Sequence, residues 1–389
     1  MLTYPLVILG AGASGLFCAG RLSTPKLIID HNKLPGVKVG VSGGGKCNFT
    51  NLHLTAADYV STRPHFCKNA LAAFKPSDFI SLLNKEKIPY EQRANGQLFA
   101  KNAQDIVQML VRQAKAAHTD FALQTQILAL TPNADGFCVR TSAGLVQAQR
   151  VVMALGGLSY PALGASPLGL QLARQLGLST VMPRPALCGL SFPKELRLKY
   201  KILAGNSLLA TVQIGKHSFT DQLLFTHEGI SGPVVLSASL YWEEGEKVKI
   251  NFLPDINLTD WIAQHKQENK KISSLLGLPG HMAQTLLEHY DQPLANASKP
   301  DLQGAIRQLT AFEFVPCATA GYTKAEVTAG GIDPQAINSS TFEAKTIPGL
   351  YIIGELLDVT GRLGGFNLHW AWASAAAAAN HLVKNTNEI

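Results

Sequence analysis

The chain has 389 residues, 46% hydrophobic and 16% charged, which supplies cores for two or three domains. Its six cysteines (Cys18, Cys47, Cys67, Cys138, Cys188 and Cys317) form no CxxC pair, which argues against a disulfide framework, a zinc site or any other metal centre, and for a reducing, cytoplasmic setting. No apolar run is long and glycine-poor enough to span a bilayer, the N-terminus lacks the basic start of a signal peptide, and the net charge of +7 is spread along the chain, so neither a membrane nor a nucleic acid is the expected partner.

In chain order, residues 6–9 read as a buried parallel strand. They lead into Gly10-Ala11-Gly12-Ala13-Ser14-Gly15, a GxGxxG, and then Leu16, Phe17 and Leu22 at helical spacing. A second apolar run, 27–29, ends at Asp30, about 20 residues after the first glycine, as a dinucleotide fingerprint requires. Gly10 permits the tight turn, Gly12 admits a pyrophosphate against the backbone, and Gly15 lets helix and strand pack closely. The helix N-terminus offers free N–H groups to the phosphates, and Asp30 accepts from a ribose. A ligand-free glycine turn is the other reading, and the motif alone does not separate NAD from FAD.

Residues 41–51, VSGGGKCNFTN, form a second glycine-dense site. A turn falls at Ala94-Asn95-Gly96. A capping pattern at Asn102 and Asp105 opens a helix to Ala116. Residues 121–144 then read as a β-meander, and 151–155 as a buried strand ending at Gly156-Gly157. From about 190 to 330 the texture changes. Residues 208–214 and the alternating Val248, Ile250 and Phe252 suggest a β-barrel. Within it, helix starts at Asn257, Pro279 and Ser298 mark a helical insert. The basic cluster 266–271, KQENKK, reads as a solvated helix face. Residues 350–353 form a strand followed by Gly354, Glu355 and Asp358. Gly364-Gly365-Phe366-Asn367 opens a helix of small residues. The expected domains are 1–190 with 330–389, 191–255 with 313–329, and 256–312. A nicotinamide dinucleotide needs little beyond the first βαβ unit. The two further glycine-dense sites favour the longer FAD.

Five motifs resemble the HI0933-like flavoproteins (the YhiN/BaiN type), a family that includes enzymes described as aminoacetone oxidases. They are GAGASG (10–15), SGGGKCNFTN (42–51), FTHEGISGP (225–233), VTAGGID (327–333) and GELLDVTG with GGFNLHWAW near the end. The resemblance covers essentially the whole chain. It implies an α/β, Rossmann-like two-dinucleotide-binding-domain FAD fold with an inserted β-barrel. Asp358 would hold the ribityl or pyrophosphate region, and the backbone of Ile127 would lie near adenine. The N–H groups after Gly364 and Gly365, at Phe366, Asn367 and Leu368, would face the flavin pyrimidine edge, where a helix N-terminus stabilises the charge of reduced flavin. The 41–51 stretch would wrap the middle of FAD through Ser42, Gly43, Gly44 and Gly45, with Lys38 or Lys46 offsetting phosphate charge. Cys47 is read as a small packed side chain, because no resolving cysteine is nearby, and Asn48 as a brace of the loop. Ala13, Ser14, His31, Gly156, Gly354 and Glu355 complete the expected cofactor contacts. The chain departs from the family pattern at Leu155, at Pro167-Leu168 and at His369.

The candidate catalytic residues are His227, in Thr226-His227-Glu228-Gly229, and Tyr160. A structural histidine and a packed tyrosine are the competing readings. No second GxGxxG with a following acid is present, so NAD(P)H or oxygen would have to meet the flavin directly. The leading expectation is an FAD-dependent oxidoreductase moving hydride between flavin N5 and a small organic substrate, in the manner of aminoacetone oxidase or BaiN. The alternatives are an RNA-modification flavoprotein, favoured by the positive charge, and a non-catalytic flavoprotein.

Overall fold

The structure is a computed structural model describing residues 1–386. It divides into one unit of Met1–Pro185 with Glu326–Ile389, and a second of Ala186–Ala325.

The first unit is built on a seven-stranded sheet. Its order is Thr119–Ala122, Lys26–Ile29, Leu2–Leu9, Gly144–Met153, Gly136–Thr141 and Ile127–Asn133, with Leu350–Ile352 also paired to Gly144–Met153. The pairings from Thr119–Ala122 through to Gly144–Met153 and Leu350–Ile352 are parallel. The long strand Gly144–Met153 does two jobs. Along one edge it pairs with Leu2–Leu9 from Val146 to Met153; along the other its first half closes an antiparallel meander with Gly136–Thr141 and its end pairs with Leu350–Ile352. Strand order therefore reverses at Leu2–Leu9, and the crevice beyond the carboxyl end of that strand is where open α/β sheets bind ligands. The apolar run survives because Val7, Ile8 and Leu9 are wholly buried. Lys26 is buried too, its ammonium donating to the carbonyls of Leu22 and Ala117.

The helix Phe366–Thr386 packs its alanines and two tryptophans into this core. Trp372 stacks on Phe79 at 4.8 Å and donates its indole N–H to Phe49 O at 3.0 Å, so its polar atom is satisfied. The expected helix after residue 102 runs Ala103–Ala116, capped by Asn102, whose oxygen accepts from Gln104 N at 3.1 Å.

The second unit holds another seven-stranded sheet. Its order is Phe312–Phe314, Val248–Asn251, Ser207–Ile214, His217–Phe225, Gly229–Ser231, Leu190–Ser191 and Ala318–Thr319. Its core includes Tyr200, Phe225, Phe252 and Phe312. Four helices, Leu258–His265, Ile272–Leu275, Gly280–Leu287 and Lys299–Thr310, lie between its strands in sequence. The last begins with a capping box of Ser298 and Asp301. The KQENKK cluster is not on a helix face. The helix ends at His265, and 266–271 form the turn after it.

Candidate functional site

The GxGxxG turn sits at the strand-order reversal. A Cβ on Gly10 (φ +107°) would lie 2.4 Å from Ala154 O, and one on Gly15 would lie 2.0 Å from Gly10 O, so both positions exclude a side chain. Gly12 differs. A Cβ there would meet nothing within 4 Å. The turn is therefore tight on its protein side and open at its middle glycine. The helix Ala13–Ala19 starts from Gly12 without a side-chain cap. Asp30, at the end of the next strand, accepts from Ala11 N at 2.7 Å through one oxygen and from Asn32 N at 2.8 Å through the other. Its carboxylate braces the turn, and each oxygen keeps a lone pair free. The adjacent His31 is partly exposed, its Nδ1 3.8 Å from Asp30. Thr125 N donates to Asp30 O at 3.0 Å, which ties the stretch leading into Ile127 to this end of the sheet.

The 41–51 stretch is only partly the expected loop. A helix begins at Val37 and breaks at Ser42, after which Gly43, Gly44, Gly45 and Cys47 all have positive φ. Three glycines and one strained residue bring the chain round in a left-handed curl. A Cβ on Gly44 or Gly45 would again meet nothing within 4 Å. Ser42 Oγ donates to Val39 O at 2.7 Å. The buried Cys47 thiol is pushed up to about 12 by burial, so it stays protonated and packs. The two lysines are already partnered. Lys46 lies 3.6 Å from Glu91, and Lys38 pairs with Glu355 at 2.9 Å.

Side chains fasten the C-terminal segment to this curl. Asn51 Nδ2 donates to Gly364 O at 3.1 Å. With its amide oriented to satisfy both neighbours, Asn48 accepts from Gly365 N and donates to Leu98 O, each at 3.1 Å. Gly364 and Gly365 take φ of +125° and +93° and deliver the chain into Phe366–Thr386. Asn367 closes the turn with its amide, accepting from Gly361 N at 2.8 Å and donating to Gly361 O at 2.9 Å, so its backbone N–H is what remains for a ligand. Tyr59 donates to Phe366 O at 2.9 Å. Asp358 is buried and accepts from Thr62 N (2.8 Å) and Thr62 Oγ1 (2.7 Å), both through Oδ2. Gly354 lies against the first motif, since a Cβ there would be 2.6 Å from Ser14 Oγ. His369 is fully buried between Thr50 Oγ1 (2.8 Å) and Phe74 O (3.0 Å). Burial lowers its pKa to about 4, so it is neutral, with Nε2–H donating to Phe74 and Nδ1 accepting from Thr50.

Glu355 also accepts from Thr328 N at 3.0 Å, and Thr328 Oγ1 accepts from Leu158 N at 2.7 Å and Ser159 N at 3.1 Å. This network fixes the Gly156-Gly157 turn, and a Cβ on Gly156 would face open space. Tyr160 follows at φ +66°, its ring 5.8 Å from Lys38 Nζ. Burial and the nearby Glu326 raise its pKa, so the phenol keeps its proton. His227 belongs to the second unit and is exposed in the turn between His217–Phe225 and Gly229–Ser231. The neighbouring Glu228 is paired with Arg197 at 2.8 Å.

The residues present fit an extended dinucleotide. Gly12, Gly44, Gly45 and Gly156 are four positions where a missing Cβ leaves space rather than closing a contact. The reading of isolated motifs missed Thr62, Thr328 and Thr50. Thr50 and Thr328 lie inside quoted motifs, whereas nothing local marks Thr62. Among the described residues no cluster of His, Cys, Asp and Glu is arranged to hold a metal ion, and no helix is long and apolar enough to cross a membrane.

Comparison with known proteins finds a match to the HI0933-like protein Rossmann domain over residues 4–381. The chain is 41% identical over 392 residues to a ribosomal RNA dihydrouridine synthase of Escherichia coli, covering 98% of each chain. It is 40% identical to the protein of that name from Haemophilus influenzae, covering 96% of this chain and 97% of the relative. A 3-dehydro-bile acid delta(4,6)-reductase of Clostridium scindens is 27% identical, covering 95% and 97%. Among solved structures, a flavocytochrome c3 fumarate reductase matches with a TM-score of 0.51 at 15% identity, covering 98% of this chain and 78% of that one. A quinol-fumarate reductase matches with a TM-score of 0.52 at 14% identity, covering 99% and 72%. The structural likenesses support the α/β Rossmann-like fold, and the family match bears out FAD and an FAD-dependent oxidoreductase activity. The leading expectation of a small-molecule, aminoacetone-oxidase-like reaction is corrected. The two 40–41% relatives bear the name of an RNA-modifying enzyme, which puts the RNA-modification alternative ahead. Motifs that build a flavin site carry no information about what approaches the flavin.

Proposed function

The chain belongs to the HI0933-like family of flavoproteins, and from that premise we propose that it is a flavin-dependent RNA dihydrouridine synthase acting in the cytoplasm on uridine in ribosomal RNA. The observation that supports this reading is the 41% identity, over 98% of both chains, to a relative of that name.

Reduction of a uracil C5=C6 bond adds a hydride to one carbon and a proton to the other. Bound FAD, once reduced by a nicotinamide or another donor, supplies the hydride. We assign the cofactor to the first unit. The N–H groups around Gly12, Ala13 and Ser14 would take the diphosphate, and Asp30 with His31 the adenosine ribose. The curl 42–45 and Asp358 would take the ribityl stretch, and the N–H groups of Phe366, Asn367 and Leu368 the pyrimidine edge of the ring. Those last donors stabilise negative charge on the reduced ring. Tyr160 is the proton donor of this proposal, because it follows directly on the Gly156-Gly157 turn and its phenol is hydrogen-bonded to Glu326, which can take part in resupplying the proton.

The test is anaerobic incubation of the purified holoprotein with NADPH and an unmodified ribosomal RNA transcript, followed by nucleoside mass spectrometry. A uridine gaining two hydrogens at a defined position is the expected result. An RNA left unchanged, with the reduced flavin reoxidised only by small unsaturated compounds, would return the protein to the small-molecule class. In the active system Tyr160→Phe should lower turnover about 100-fold with little change in RNA affinity.

A further inference from the structure

Residues 52–77 enclose a groove of about 550 Å³, within the size range of ligand sites, that the flavin site does not use. Leu52, Leu54, Leu71 and Pro76 give it apolar walls, and Lys68 and Lys75 are exposed at its edge. Neither lysine has a salt-bridge partner among the described residues, unlike Lys38 and Lys46. From 61 to 77 the chain carries Arg63, Lys68 and Lys75 and no acidic residue. The first turn of the helix Pro76–Lys85 also lines the groove through Pro76 and Ser77. Of the two carboxylates beside the groove along the chain, Asp58 pairs with Arg362, and Asp78 accepts from Lys75 N at 2.6 Å.

An open groove with leucine walls, edged by two ammonium groups without ion-pair partners, matches one chemical species: a nucleotide, with its base against the leucines and its phosphates at the lysines. The groove is built from the segment that buttresses the flavin site. Asn51, next to Leu52, holds Gly364 O, and Phe74, next to Lys75, gives its carbonyl to His369. We propose that this groove binds a nucleotide of the substrate RNA flanking the uridine to be reduced. The inference rests on the RNA reading above and adds to it a location for the strand.

The experiment uses the full-length holoprotein and a fluorescein-labelled single-stranded oligouridylate, with affinity read by anisotropy across a salt series, alongside turnover on the ribosomal RNA transcript. In the double variant Lys68→Glu/Lys75→Glu the expected result is at least tenfold weaker binding at low salt. The slope of log affinity against log salt should shrink by about 1.4, the value for two single-strand phosphate contacts. Ala72→Trp, on the exposed face of the helix Lys68–Ala73 and facing the groove, fills it without altering charge and should raise the KM for RNA while leaving flavin absorbance unchanged. Wild-type protein that reduces uridine, combined with variants that keep its affinity, salt slope and KM, overturns the groove while leaving the proposed function standing. Wild-type protein that neither binds oligouridylate nor reduces RNA removes the reading on which the groove depends, and the groove with it.

Discussion

The two glycine-rich walls of the proposed flavin site are held in different ways. In the 10–15 turn Gly10 and Gly15 are pressed against main-chain oxygens, and a single side chain, Asp30, braces the backbone at Ala11 N. In the 42–51 curl and the 364–369 turn that faces it, polar side chains do the fastening: Asn48, Thr50, Asn51, Asn367 and His369. Gly365, whose Cβ would lie 2.5 Å from Thr50 O, gives the second wall one such contact too, so the first wall should fail by steric exclusion and the second also by loss of hydrogen bonds or by protonation.

Four measurements sharpen that contrast, taken in order of their effect on stability. Gly15→Ala should be the most damaging. Its methyl would need the space of Gly10 O, and a backbone atom cannot swing away, so a loss of about 3–5 kcal/mol or failure to fold is expected in thermal denaturation. Second is acid. His369 is neutral in the folded protein with a pKa of about 4, whereas the unfolded chain takes up a proton near 6.5. The folded pKa is the lower one, so the contribution is fully present above about pH 6.5 and is lost as the pH falls toward 4. The loss amounts to about 3 kcal/mol by linkage. A stability-pH curve of His369→Gln should lack that limb, and an unchanged limb would place the acid sensitivity elsewhere. Third, Gly44→Ala meets no atom but must hold φ at +67°, a strain of about 1 kcal/mol that should appear as a modest drop in melting temperature. Last, Gly12→Glu should leave the melting temperature of the apoprotein almost unchanged while abolishing flavin absorbance, because its side chain enters the space a diphosphate needs. Full retention of flavin would show that the open glycine does not face the cofactor.

What the sequence reveals follows the same divide. The 10–15 turn was legible because its requirements are local: a strand, three glycines at fixed spacing, a helix and an acid 20 residues on. Asn102 and Ser298 announced their helices for the same reason. The fastening of the second wall was not legible, since its partners lie hundreds of residues apart. Lys38 is consumed by Glu355 and His369 by Thr50 and Phe74, and Thr62 takes one of the two oxygens of Asp358. Each of those residues reads from sequence as available for a ligand or as an oddity. The broken helix at 37–45 escaped notice because its positive-φ glycines follow an ordinary helical start. The reaction itself was the least legible, since the motifs proposed to hold FAD are indifferent to the molecule that meets its other face.

Lys38 is neutralised by Glu355, whereas Glu91, 3.6 Å from Lys46, is shared with Arg93 at 2.7 Å. With Lys38 satisfied from within, a diphosphate in this unit would be held mainly by peptide dipoles that no counterion can displace. Retention of flavin should then be nearly indifferent to ionic strength, whereas capture of a polyanionic substrate should decline steeply with it, so that washing in strong brine would strip the substrate and leave the protein yellow.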